Sequence, residues 1–421
     1  MVFVVLLFCV FMLFKIPKGS VARLLFFFFI LSLSGYVFLF KSGGIQTIDI
    51  LHAIWIIITI SAIVLPWKNF RQIKEITCNN KERTDRFATI LIVTCVLLGI
   101  SCGILAYYVL TRISDINMFK YVDGPSDFYY SLGIDMHGFI LTTLLYPLGY
   151  LLVPFVFYYF SQRRYARAFW SFVGSLLPVV YGMTYYSRSH MTHFIMIYIA
   201  AFFMLRKVLP KIQSKRVKNV ILAVGIGVSV GFFYISSERF EEHDYNTQNR
   251  IITYNTSSST AISMIDYLSQ WWPNSQEMFR RFDGTTMNNS IIFQAVANFT
   301  NTISFGIIPN DSKGRLERRT MLFKEYKGSF IGVGAYTLYD QGPFLGLLLY
   351  AVYGWFVRKF KPRQRTISII SLLVVFALIQ IPLFAIFYST FDVVLLMLLL
   401  LLIPIMLFLK TNPPSPHGIK A

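Results

Sequence analysis

Four arginines and three proton acceptors are the residues of this sequence whose types and placement suit a reaction. Arg188 sits in residues 184–194, TYYSRSHMTHF, a joint between the apolar runs 168–181 and 194–205 that is too short to be a soluble loop. A guanidinium at membrane depth costs about 2.5–3.5 kcal/mol, so it tends to persist where it pairs with something negative. Its flat fork suits phosphate oxygens two at a time. The plain alternative is snorkelling, with the cation at a helix end reaching to lipid headgroups. Further on, SSERFEEHDY sets Arg239 among Glu238, Glu241, Glu242, His243 and Asp244. Such a run is ordinarily a solvated charge cluster at a helix exit. It also joins the cation that a diphosphate needs to the base that a hydroxyl nucleophile needs. Arg280 and Arg318 complete the cation candidates. Glu238, His243 and Asp340 are the base candidates, although Asp340-Gln341-Gly342-Pro343 reads equally as a turn before an apolar run.

Metal chemistry has weaker support. His190 and His193 stand three apart, a spacing that puts two imidazoles on one helical face, but no HExxH context accompanies them. Glu241, His243 and Asp244 offer donors without a spacing that selects a metal. No metal is assigned to the site. No CxxC pair, GxGxxG turn or Walker loop occurs, so nucleotide hydrolysis and hydride transfer lack their usual phosphate cradle. Cys9, Cys95 and Cys102 fall in apolar runs and Cys78 in a basic connector, so no disulfide is expected in any outer segment.

The elements that must hold these residues are membrane helices. The chain of 421 residues is 55% hydrophobic and only 14% charged, against about 25% charged in a soluble domain. Apolar runs of helical length recur throughout and predict eleven spans. They cover roughly 1–14, 22–40, 48–67, 87–110, 139–160, 168–186, 191–206, 219–235, 342–357, 366–387 and 392–409. The first, although short, reads as a retained helix, because Lys15 and Lys18 follow it and no small-residue cleavage site does. Alternate connectors carry 25 of the 39 Lys and Arg. The short connectors on the other side carry Lys41, Arg112, Lys120 and Arg188. By the positive-inside rule the basic set faces the cytoplasm, the N-terminus is outside and the C-terminus inside. The +19 net charge is thereby placed against anionic lipid, and nucleic acid is excluded as a partner for want of a soluble basic domain.

The expected organisation is eight spans in residues 1–235, one large outer loop in 236–341, and three spans with a cytoplasmic tail in 342–421. A medium outer loop, 111–138, carries Asp115, Asp123, Asp127 and Asp135. Within the large loop, SSTAISMIDYLSQWW sets Ala261, Met264, Ile265, Leu268 and Trp272 on one helical face. That helix is expected either to lie flat at the membrane interface or to pack on other loop helices, and Pro273 is expected to end it. Arg280 and Arg281 are adjacent and point about 100° apart, so at most one faces a given site.

The arrangement resembles the O-antigen polymerases of the Wzy type, also called oligosaccharide repeat-unit polymerases. The likeness rests on the number of spans with one dominant late outer loop, on the hairpin YYSRSHM, and on residues 332–354, GVGAYTLYDQGPFLGLLLYAVYG, as the return from that loop. It implies an all-α, GT-C-like membrane bundle that joins glycan repeat units outside the cytoplasmic membrane. A growing chain on undecaprenyl diphosphate would pass to the non-reducing end of a second lipid-linked repeat, with no metal, no other cofactor and no nucleotide sugar. The implied partners are the undecaprenyl-diphosphate-linked oligosaccharide, membrane lipid and a chain-length regulator. Two other classes stay open. A lipid-linked oligosaccharide flippase or transporter would need charges inside the bundle, where only Asp49 is expected. A membrane acyltransferase of surface sugars would need a deep histidine, where only His52 is expected.

Overall fold

The computed structural model describes residues 1–39, 47–112, 133, 140–184, 188–210, parts of 214–230, 259–287, 292–304, 307 and 330–404. The medium outer loop with its four aspartates, most of the eighth apolar run, and Glu238, Arg239, His243 and Arg318 lie outside the described residues.

Helices dominate. α1 (Val2–Lys15) and α2 (Val21–Leu39) pack as a pair, and α3 (Thr47–Val64) continues as a 3-10 turn, Leu65–Asn69. α4 (Lys81–Arg112) is the longest straight element. On one side of it Ile90, Val93, Leu97, Ile100 and Ile104 are all exposed. Their spacing of three and four draws a single apolar stripe. A stripe of that kind in water would be an aggregation hazard, whereas hydrocarbon matches it. Among the described residues three helices are long and apolar enough to cross a bilayer: Val21–Leu39, Thr47–Asn69 and Lys81–Val109. Shorter apolar helices accompany them.

Among the described residues, several of the expected spans are broken rather than continuous. The run expected at 139–160 divides into α5 (Ile140–Leu145), a 3-10 stretch (Tyr146–Leu152) and α6 (Val153–Ser161). The run at 168–186 divides into α7 (Tyr165–Ser175) and α8 (Leu177–Met183). Pro147, Pro154 and Pro178 stand in the first turn of the element that follows each break, where a missing N–H costs nothing. Two breaks meet: a Cβ built on Gly149 would lie 2.5 Å from Pro178 Cδ. Only a glycine lets the 3-10 stretch come this close. Hydropathy averages over such breaks, which is why the sequence reads each run as one span.

α9 (Arg188–Leu205) follows, then α10 (Ser259–Ser269), α11 (Trp271–Arg281) and α12 (Gln294–Ile303) from the region expected to be an outer loop. α13 (Gly332–Lys359) leads to α14 (Ile369–Leu378), α15 (Gln380–Phe384) and α16 (Phe391–Pro404). α13 is not straight. Gly342 has φ 75 and ψ 177, backbone space that only glycine occupies freely. A Cβ on Gly346 would meet Thr337 Cγ2 at 2.8 Å. Nine residues span about 13 Å in a straight helix, so the chain folds back on itself at Gly342. The turn expected from Asp-Gln-Gly-Pro is therefore present, inside the packed structure.

One short sheet joins the basic connectors. β1 (Glu75–Thr77) pairs in parallel with β2 (Thr366–Ser368), Ile76 opposite Ile367. A tight turn with Gln364 at φ 49 and Arg365 at φ 66 precedes β2, and the Lys74 N–H donates to the Arg365 carbonyl at 2.8 Å. Apart from this pair the described fold is all-α.

Candidate functional site

Among the described residues, the amphipathic stretch 259–272 packs on the helices α2 and α3 rather than chiefly on other helices of 236–341. α10 runs beside α2 in antiparallel fashion. Ile262 packs on Leu39, Ile265 and Ser269 flank Gly35, the Ser32 hydroxyl donates to the Leu268 carbonyl at 2.5 Å, and Trp271 meets Phe29 halfway along α2. α11 then runs beside α3. His52 Nε2 and Ser275 Oγ lie 2.9 Å apart, and Arg280 reaches Asp49. The pair enters beside one end of α2 and leaves beside the neighbouring end of α3, with Trp271 and Trp272 innermost, 2% and 1% exposed. Burial of two indoles, at about 1.5–3 kcal/mol or more for each large side chain, outweighs what a flat interfacial position returns. Pro273 does not end the structure. It sits in the first turn of α11, and the helix axis breaks around Gln270 because Pro273 has no N–H to give.

Arg280 is the one cation candidate whose side chain is described. Its Nε and Nη2 donate to Asp49 Oδ1 and Oδ2, each at 2.9 Å, and Glu277 Oε2 lies 3.6 Å from Nη1. Asp49 is 2% exposed. The hydrogen bonds from Arg280 to Asp49 push the guanidinium above its ordinary pKa. A diphosphate at Arg280 would have to displace a buried carboxylate from a two-point grip, so Arg280 serves as a tie between α11 and α3. Arg281 shares Glu277 with it, at 2.9 Å, while the grip on Asp49 is made by Arg280.

Asp340 is 1% exposed, in the last turn before the reversal at Gly342, and its Oδ2 accepts the Ile292 N–H at 3.2 Å. Tyr339 beside it donates its hydroxyl to the Met278 carbonyl at 2.7 Å. The Asp340 carboxylate thus pins the segment after α11 to the fold-back. The expectation that only His52 lies buried in a span is corrected. His190 and His193 are also buried, 7% and 3% exposed. His52 is packed between Trp272 and Phe279 with Ser275 at its Nε2. This is the spacing of a serine nucleophile and its base, but both residues are 1% exposed, and no substrate reaches them without moving α11.

Arg188 opens α9, and its side chain lies outside what the structure describes. The first turns of the helix are described. His193 stacks on Phe384 at 3.7 Å between ring centroids, and the Tyr388 hydroxyl is 3.1 Å from its ring nitrogens. His190 meets Tyr146 and Tyr181 edge-on at 5.1 and 5.5 Å, and these two tyrosines stack at 4.3 Å. Asp392 stands in the first turn of α16, four residues after Tyr388. One end of α9 thus gathers two imidazoles, three phenols and a carboxylate inside an apolar bundle, where the two helix breaks meet. The histidine pair was visible in the sequence as HMTH. Tyr181 stands nine residues before His190, but Tyr146, Phe384 and Tyr388 come from segments some 40 to 200 residues away, and no local pattern announces them. Among the described residues, no group of three or more His, Cys, Asp or Glu is placed to hold a metal. No protein-family model, no curated protein and no solved structure matches the chain.

Proposed function

We propose that this chain is a multi-pass protein of the cytoplasmic membrane that polymerises lipid-linked oligosaccharides on the outer face. In this reading eleven hydrophobic segments, several of them broken, form the bundle, with the N-terminus outside and the C-terminus in the cytoplasm. The observation that carries it is the end of α9: Arg188 begins a helix whose first turns bear buried His190 and His193 among Tyr146, Tyr181 and Tyr388. Polar groups are kept in an apolar bundle when they serve a substrate or each other. Broken helices admit irregular backbone only where protein or a cavity surrounds it.

The reaction is a glycosyl transfer. A hydroxyl at the non-reducing end of one lipid-linked repeat attacks the anomeric carbon of the growing chain, and a bond to oxygen forms there. The bond to the diphosphate oxygen breaks, and undecaprenyl diphosphate leaves with the electron pair. The hydroxyl proton goes to a base, for which Glu238, His243 and Asp340 are the candidates; the Ile292 N–H on Asp340 Oδ2 leaves Oδ1 as the atom that would accept it. Arg188, with Arg239 and Arg318, neutralises charge growing on the diphosphate. A preorganised donor of this kind contributes about 2.7–4 kcal/mol to a transition state.

A second reading is favoured by one feature. Helices broken midway, with buried polar groups beside the breaks, are also the construction of transporters, so a lipid-linked oligosaccharide flippase is the rival. Deletion of the gene followed by analysis of surface polysaccharide separates the two. Single repeat units on the surface support polymerisation; complete loss of surface glycan supports the flippase and overturns the polymerase.

A further inference from the structure

At the far end of α9, about 27 Å from Arg188 for a helix of this length, the chain forms an open recess of about 500 Å³ lined by Lys74, Arg206, Lys207, Leu209 and Ser214. It is on the face that the charge bias assigns to the cytoplasm. Among the described residues, three cations, one hydroxyl and one apolar side chain line it, and no carboxylate does. Elsewhere on this face some cations are paired: Asp85 takes Arg164 at 2.6 Å and Arg167 at 2.9 Å, and Glu82 takes Arg86. Among the described residues no ion pair reaches Lys74, Arg206 or Lys207.

The backbone around the recess is fixed from two sides. The Ile73 N–H donates to the Met204 carbonyl at the end of α9, and the Lys74 N–H donates to the Arg365 carbonyl, both at 2.8 Å. The second acceptor belongs to the turn in which Gln364 and Arg365 both hold positive φ. Residues without a glycine's freedom pay for that conformation at a level of about 1 kcal/mol or more, and here it places the carbonyl that orders Lys74. Leu209 is buried and gives the recess an apolar floor. Arg206 and Lys207 also complement the negative end of the α9 dipole. Lys74 arrives from another segment and has no such role.

We propose that this recess binds a phosphoryl group, supplied by the headgroup of an anionic phospholipid whose acyl chains lie along the apolar end of α9. Two or three cations converging on one concavity without an acid match a phosphodiester, and the apolar floor meets the glycerol end of the lipid. The site is independent of the glycan chemistry at the opposite end of the helix.

The test uses the full-length protein in nanodiscs of phosphatidylcholine, with and without phosphatidylglycerol, read by native mass spectrometry for retained lipid. Wild type should retain phosphatidylglycerol selectively. The variant Lys74→Gln/Arg206→Gln/Lys207→Gln should lose it, by about fivefold for each cation removed, while a control on the same face, Arg23→Gln/Lys81→Gln/Lys359→Gln, keeps it. Should the triple variant not remain monodisperse, the single variants Arg206→Gln and Lys207→Gln, both at exposed positions, carry the same comparison. In an arm with phosphatidylcholine alone, inorganic phosphate that raises the thermal midpoint in wild type but not in the recess variant assigns the site to soluble phosphate instead of lipid. Equal loss of phosphatidylglycerol in the recess and control variants means diffuse surface charge and overturns the proposal, as does retention in all three proteins.

Discussion

Arg280 grips Asp49 through two parallel hydrogen bonds of 2.9 Å, across 231 residues of sequence. The two partners are unequal. Asp49 keeps 2% of its side chain exposed, Arg280 31%. Removal of the arginine takes two charged hydrogen bonds from a buried carboxylate, whereas removal of the aspartate lets the arginine turn to solvent. Arg280→Ala should therefore cost about 2–3 kcal/mol, discounted from the full value of a buried pair for the exposure of Arg280. Asp49→Ala should cost about 1 kcal/mol. Thermal unfolding of the purified variants measures both. The reverse ranking would show that the pair is not the tie holding α11 to α3.

Gly342 and Gly346 should respond to alanine for different reasons. At Gly342 the backbone lies at φ 75 and ψ 177, and a side chain there costs about 1–3 kcal/mol whatever space surrounds it. At Gly346 the backbone is helical, but the new methyl would press on Thr337 Cγ2 at 2.8 Å. Thr337→Ser should therefore rescue Gly346→Ala and leave Gly342→Ala unrescued. Gly99→Ala is the control: nothing lies within 4 Å, and loss of a helical glycine should stabilise α4 by up to about 1 kcal/mol. Midpoints from the same unfolding assay check all three. A Gly342→Ala protein as stable as wild type would remove the fold-back.

The insertion of α10 and α11 predicts a labelling pattern. With the four native cysteines replaced, Ser269→Cys should resist a water-soluble maleimide in the intact protein and react after denaturation, because Ser269 is fully buried against Gly35. Thr285→Cys, at an exposed position beyond the end of α11, should react at once. Equal rates at the two positions would put the helix back on the membrane surface.

These contrasts also mark what was legible in the sequence. Helical fold class follows from apolar runs alone, because a bilayer leaves backbone amides no other partner in a single chain segment. The reversal at Gly342 is legible too, since Gly342-Pro343 is turn chemistry wherever it stands. The insertion of Trp271 and Trp272 is not. An amphipathic helix seeks any apolar surface, and residues 259–272 do not say whether that surface is lipid or the flank of α2. The Asp49–Arg280 pair is hidden for a similar reason: each residue taken alone reads as a rim charge, and only packing joins them. The breaks within runs 139–160 and 168–186 stay hidden because window hydropathy is blind to a proline in a first turn. His190 and His193 announce a shared helical face, but their phenolic partners are set by tertiary folding.

In the proposed reaction Arg188 acts through its fork, since a diphosphate offers two oxygens and a point charge meets them less well. Arg188→Lys keeps the charge and loses the fork, so it should lower chain growth by about tenfold or more while leaving some activity. Arg188→Ala should abolish chain growth at about 2.7–4 kcal/mol of lost transition-state stabilisation. Membrane-inserted protein should be present at wild-type levels in both, because a change at the first position of α9 leaves the helix interior intact. Surface glycan length on gels, normalised to protein detected by immunoblot, reads the outcome. Normal chains in Arg188→Ala would leave snorkelling as the whole role of this residue. Normal chains in Arg188→Lys, with none in Arg188→Ala, would keep the need for charge but remove the argument from two-point geometry.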